Sequence, residues 1–94
     1  MHTMEAVYEW DEQKRLLNIE KHGIDFIDAV GLFEQEQIYS YGSPKNDEER
    51  WVTIGLIGQQ YVAVVWTKRN DAVRVISARS ARNAEKRQYR ALFG

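Results

Sequence analysis

The chain has 94 residues, no cysteine, and 13 basic against 14 acidic side chains, for a net charge of −1. That length makes one domain with one modest core, and the lack of cysteine excludes disulfide and thiolate chemistry. No apolar run approaches the roughly 20 residues of a membrane span, and the opening MHTMEAVYEWDE lacks the basic and apolar regions of a signal peptide, so a soluble cytoplasmic protein is expected.

The apolar run Ala6 to Trp10 predicts a first strand. Asp11 is placed to N-cap a helix over about Glu12–Lys21, and Gly23 to end it. Leu16, Leu17 and Ile19 are its expected apolar side, with Lys14, Asn18 and Lys21 opposite. Asp25 is a second N-cap signal. Phe26, Ile27, Val30 and Phe33 then recur with helical period and predict a second helix ending near Glu34, which Gly31 weakens.

The second half reads as strands. QIYSY is short and alternating, and YGSPKNDEER is an exposed loop holding the only proline. RWVTIGLI places Val52, Ile54 and Leu56 on one face. Gly58-Gln59 and Asn70-Asp71 are hairpin signals on either side of the nearly all-apolar YVAVVWTK. AVRVISAR closes the sheet, with Arg74 on one face and Ser77 and Arg79 on the other. Ser80 is the expected cap of a final helix through about Leu92. The expected fold is α+β, with two N-terminal helices packed on a mainly antiparallel sheet and a C-terminal helix, in a single domain over residues 1–94.

The near-neutral total hides a polarity. Residues 68–90 carry eight basic side chains against Asp71 and Glu85, while residues 1–67 carry five basic against twelve acidic. A basic pole of this kind steers polyanions, nucleic acid above all; its bland alternative is screening by the acidic part. Arg82, Lys86 and Arg90 recur at i, i+4 and i+8 on the last helix, where like charges cost a few tenths of a kcal/mol per pair. Helix stability does not call for this stripe. Arg79 leads into a helix N-terminus, whose unpaired N–H groups favour anions; its alternative is pairing with a carboxylate. Tyr89 beside the stripe can stack or donate, or simply pack the helix on the sheet. With His2 and His22 the only histidines, no spacing resembles a zinc or facial-triad site. No G-x-S-x-G or phosphate-binding glycine loop occurs either. Chemistry without a metal or cofactor is expected.

Four segments, YEWDEQKRLLNIEKHGIDF, ERWVTIG, VVWTKRND and RVISARSARNAEKRQY, together resemble the BrnT family of bacterial toxins from BrnT–BrnA type II toxin–antitoxin systems. The pattern W-D-x-x-K-x-x-x-N-x-x-K-H-G falls on Trp10, Asp11, Lys14, Asn18, Lys21, His22 and Gly23. I-S-A-R-x-A falls on Ile76 to Ala81, with Glu85 and Tyr89 following. The resemblance implies a compact RelE-like fold and a metal-independent ribonuclease that arrests growth. It also implies a ribbon-helix-helix antitoxin, BrnA, and operator DNA bound only through the toxin–antitoxin complex. It raises Arg50, Lys21 and His22 above background.

The expected reaction is attack of the RNA 2′-OH on the adjacent phosphate, giving a 2′,3′-cyclic phosphate and a 5′-OH. Arg79 and Arg50 are the candidates for stabilising the phosphorane, Lys21 or His22 for the base, and Tyr89 or His22 for the acid. Arg82, Lys86, Arg74 and Arg69 are the candidates for holding RNA. The competing readings are a module that binds nucleic acid without cutting it, and a basic pole that serves only as the antitoxin's docking surface.

Overall fold

The computed structural model describes residues 7–94; Ala6, at the start of the expected first strand, lies outside them. Along the chain run β1 (Val7–Glu9), α1 (Glu12–His22), α2 (Phe26–Ala29), a 3-10 segment (Val30–Glu34), β2 (Tyr39–Gly42), β3 (Trp51–Ile57), β4 (Gln60–Arg69), β5 (Ala72–Ser80) and α3 (Asn83–Phe93). The strands form one sheet in the order β1-β5-β4-β3-β2. Every pairing is antiparallel except β1 with β5, so the α+β class and the mainly antiparallel sheet hold.

Local chemistry fixes most boundaries. The Asp11 carboxylate accepts from the backbone N–H groups of Gln13 and Lys14, and Gly23 ends α1 in the left-handed region at φ 70°. Asp25 likewise accepts from Ile27 N–H at the start of α2. Asn70 and Asp71 both have positive φ, as the tight β4–β5 turn requires. Asn46 and Asp47 do too, and around them Lys45 and Glu48 exchange two backbone hydrogen bonds of 3.0 Å. The loop before β3 therefore carries its own ordered turn.

The second helix does not run unbroken to Glu34. It makes one α turn and then tightens into the 3-10 segment. In a 3-10 turn, side chains three apart stand one above the other. That places Ala29 above Leu32 and Val30 above Phe33; Ala29 and Leu32 are fully buried, and Val30 and Phe33 pack against the same core. Ile27, expected on the apolar face, is exposed. Gly55 of β3 lies beneath Leu32, and a Cβ at that position would overlap the Leu32 side chain.

The two faces of the sheet bury different clusters. On one, Ile24, Phe26, Ala29 and Leu32 pack on Val62, Val64, Val75 and Ala78. On the other, Ala81 and Tyr89 pack on Val52, Ile54 and Ala63, with Tyr39, Tyr41, Tyr61 and Phe93 around them. The register between β4 and β5 slips after Val65, which leaves Ile76 without a partner between Ser77 and Val75. This bulge shifts the alternation by one residue. Arg74 pairs with Thr67 and Arg79 with Ala63, so Arg74 shares a face with Ser77 and Arg79 instead of opposing them.

Helix α1 also departs from expectation. Leu16, Leu17 and Ile19 are exposed, while Asn18 is buried. Strand β1 covers only Ala72 to Arg74 of β5. Beyond it the Asn18 carboxamide takes the place of a neighbouring strand. Its nitrogen donates to Ala78 O at 2.8 Å and to Ile24 O at 2.8 Å, and its oxygen accepts from Ala78 N–H at 3.2 Å. A buried amide with three partners satisfies an edge whose backbone groups would otherwise be costly to leave unpaired.

Candidate functional site

The β2–β3 loop, the end of β5 and the start of α3 meet on the α3 face of the sheet. They enclose a cleft of about 310 Å³ whose walls include Lys45, Arg50, Arg79 and Arg82 together with Tyr41, Ser43 and Pro44. Val52 and Val65 form its floor. Four cationic side chains from three separate segments thus point into one concavity with no carboxylate among its lining residues. Low-dielectric walls of this kind strengthen the attraction for an anion.

Two of the four cations, Arg79 and Arg50, are held by carboxylates. Arg79 donates from its two terminal nitrogens to the two oxygens of Glu85, at 2.7 and 2.9 Å. Glu85 sits one turn into α3, where its carboxylate also accepts the Arg82 backbone N–H at 2.7 Å and the Tyr41 hydroxyl. Burial by itself pushes the Glu85 carboxyl up. The Arg79 fork, the Arg82 N–H and the Tyr41 hydroxyl outweigh that and hold it down at about 2. Glu85 in turn raises Arg79 further. Burial, then Glu85, pushes the Tyr41 phenol above its ordinary value. Arg50 donates through Nε to Glu48 at 2.7 Å, so the Asn46-Asp47 turn that fixes Glu48 also aims Arg50.

The residues singled out from sequence are divided by the fold. Arg79, Arg50 and Arg82 come together in this cleft. Lys21 and His22 line a separate depression of about 270 Å³ with Lys14, Leu17, Asn18, Ile76 and Ser77. Ser77 stands two residues from Arg79 on the same face of β5, so the two depressions are neighbours along that strand. Tyr89 is in neither: it is buried, its hydroxyl donates to Gln37 O at 3.0 Å, and its ring packs edge-on to Tyr61. Arg74 faces Glu9 at 3.7 Å. Arg69 lines a third depression with Asp47, Glu48, Glu49 and Asp71. The Arg82-Lys86-Arg90 stripe is interrupted, since Arg90 lies over the Tyr61 ring, 5.2 Å from its centre. Ser80 is the last residue of β5, where its hydroxyl accepts from Gln60. Arg82 occupies the N-cap position of α3 in its place.

Tyr41 and Lys45 line the cleft, and Glu85 supports it through Arg79, but none of the three was among the candidates read from sequence. Tyr41 and Tyr39 alternate along QIYSY, a pattern that reads equally well as strand packing. Glu85 was legible as a lone acid in a basic segment and as a position of the family resemblance, with no role attached. Among the described residues no three His, Asp or Glu side chains gather as a metal-binding group, and no helix is long and apolar enough to cross a membrane.

A family model for the BrnT ribonuclease toxin of type II toxin–antitoxin systems matches residues 10–85. The chain belongs to this family. The match runs from Trp10, next to the α1 cap, to Glu85, the carboxylate that holds Arg79. Among the curated proteins compared with it, none matches. As a BrnT ribonuclease toxin the chain has RNA as its substrate class and an antitoxin as its partner class.

Proposed function

We propose that this BrnT-family chain cuts RNA without a metal ion, using the Arg50–Arg79–Arg82–Lys45 cleft to bind the scissile phosphate. The observation that carries this reading is the convergence of those four cations on one open cleft. The RNA 2′-oxygen forms a bond to phosphorus, its proton passing to a base, and the bond from phosphorus to the 5′-oxygen breaks as that oxygen takes a proton. The products are a 2′,3′-cyclic phosphate and a 5′-OH. The negative charge that builds on the non-bridging oxygens is what preorganised guanidinium groups stabilise. Arg79 meets that requirement best, because Glu85 and Tyr41 fix its orientation before RNA arrives.

Strand β5 joins the cleft to the Lys14–Lys21–His22 depression through Ser77. In this reading RNA lies across both, with Lys14 and Lys21 on a flanking phosphate and His22 as the proton carrier. Tyr89 is a packing residue, not the acid. Arg82 and Lys86 hold the flanking chain, while Arg69 and Arg74 contribute to the field around it. A BrnA-type ribbon-helix-helix antitoxin neutralises the toxin in the cytoplasm, and operator DNA is bound only by the complex.

The test is cleavage of a defined RNA in EDTA by the wild type, Arg50→Ala, Lys45→Ala and Arg79→Lys, with product ends identified and thermal melts as folding controls. Wild-type cutting with cyclic phosphate ends, reduced at least ten-fold in Arg50→Ala at unchanged melting temperature, is expected. Full activity in Arg50→Ala and Arg79→Lys would remove the cleft from the mechanism. RNA binding that weakens with salt, with no cut product, would favour the non-catalytic binding module.

A further inference from the structure

A second groove lies beside the cationic cleft, between the edge strand β2 and helix α3. It holds about 190 Å³ and is lined by Tyr39, Tyr41, Ala84, Glu85 and Gln88. Tyr41 lines both it and the cationic cleft, so the two adjoin at that side chain. Tyr39 and Tyr41 alternate onto the same face of β2, with ring centres 5.9 Å apart and planes 31° from parallel. The Tyr41 hydroxyl is tied to Glu85, so that ring is set in place before any ligand arrives. Both Glu85 oxygens are taken by Arg79, Arg82 N–H and Tyr41. Gln88 is left as the side chain in the groove that offers an amide donor and an amide acceptor.

Two aromatic rings, a methyl wall from Ala84 and one amide, beside a site for phosphate, match a nucleobase. The bases of a single strand stack on aromatic side chains, and an amide reads their edges. Because β2 is the last strand of the sheet, no neighbouring strand closes that side of the groove among the described residues.

We infer that the Tyr39–Tyr41–Gln88 groove is the base-recognition subsite for the nucleotide next to the phosphate bound by Arg50 and Arg79. This rests on the cleavage reading above and deepens it. Tyr39 supplies stacking and Gln88 supplies discrimination, so the subsite gives the toxin a nucleotide preference at one position.

The experiment uses single-stranded RNA pentamers that differ in one nucleotide flanking the cut, including an abasic one. Wild type, Tyr39→Leu and Gln88→Ala are compared. Leucine keeps apolar volume where Tyr39 packs, and thermal melts check that both variants fold. Tyr39→Leu is expected to raise KM about ten-fold with kcat nearly unchanged, within the range for loss of one base stack. Gln88→Ala is expected to flatten the ranking of the four bases. The abasic pentamer should penalise wild type and leave Tyr39→Leu almost unaffected. Wild-type KM and base ranking in both variants overturn the subsite. If wild type cuts nothing, the cleavage reading is what fails. The Kd difference between normal and abasic pentamers then decides the groove: a difference that Tyr39→Leu abolishes upholds it, and an equal Kd sinks it.

Discussion

Arg79 and Glu85 face each other through two parallel hydrogen bonds, 2.7 and 2.9 Å long, across the junction between β5 and α3. The pair has two consequences. It locks the last strand to the last helix, and it presents a guanidinium at the rim of the cleft. Glu85→Ala should therefore destabilise the fold by about 3 kcal/mol, because it leaves a largely buried arginine without its partner. A urea titration at pH 7 reads this directly. A loss below about 1 kcal/mol would show that the pair is solvated.

The same carboxylate sets a pH dependence. Its folded value, about 2, lies below the ordinary 4.5. The stabilisation is therefore complete above about pH 4.5 and fades as pH falls toward 2, by at most about 3 kcal/mol. Wild type should lose stability steeply between pH 4.5 and 2. Glu85→Gln, less stable at pH 7, should lose much less over that window. Parallel pH–stability curves for the two proteins contradict the assignment.

The Asn18 amide covers the β5 edge at Ala78, so Asn18→Ala removes four hydrogen bonds, the Ser77 hydroxyl's long one included, and strands the Ala78 N–H and C=O groups. A loss of about 2–4 kcal/mol is expected. Hydrogen exchange at Ala78 should accelerate more than in the central strand β4. Leu17→Ala on the same helix removes an exposed side chain and should change stability by less than about 0.5 kcal/mol.

Gly55 has no space for a side chain under Leu32. Gly55→Ala should cost about 1–3 kcal/mol through overpacking. Adding Leu32→Ala should recover part of the loss, a coupling that a double-mutant cycle of melts will measure.

His22→Ala separates proton transfer from binding. RNA affinity should fall less than two-fold, while the cleavage rate drops at least ten-fold. Lys21→Ala should instead reduce affinity and the salt dependence of binding, as removal of one phosphate contact does. An unchanged cleavage rate in His22→Ala takes the proton carrier away from this residue.

Local sequence determined much of this protein. The caps Asp11, Gly23 and Asp25 and the turn at Asn70-Asp71 act through neighbours a few residues away, so their effect is legible in the chain. So are the four later strands, and so is the family, whose combined motifs span most of the chain. Tertiary structure decided the rest. Asn18 reads as a polar residue on a helix until the open edge of β5, sixty residues away, takes its amide. Leu16 and Leu17 read as core but are left exposed by that same docking. The bulge at Ile76 moves Arg74 to the other face through a register shift that no local pattern announces. Arg50 and Arg79 were expected to share a phosphate and Arg82 to hold RNA, while Tyr41 read as strand packing and nothing in the chain tied Glu85 to Arg79. Only the folding of the β2–β3 loop and the start of α3 onto one face of the sheet makes them a single site, because charge and hydrogen bonding act through space and the chain brings those segments together only when the sheet closes.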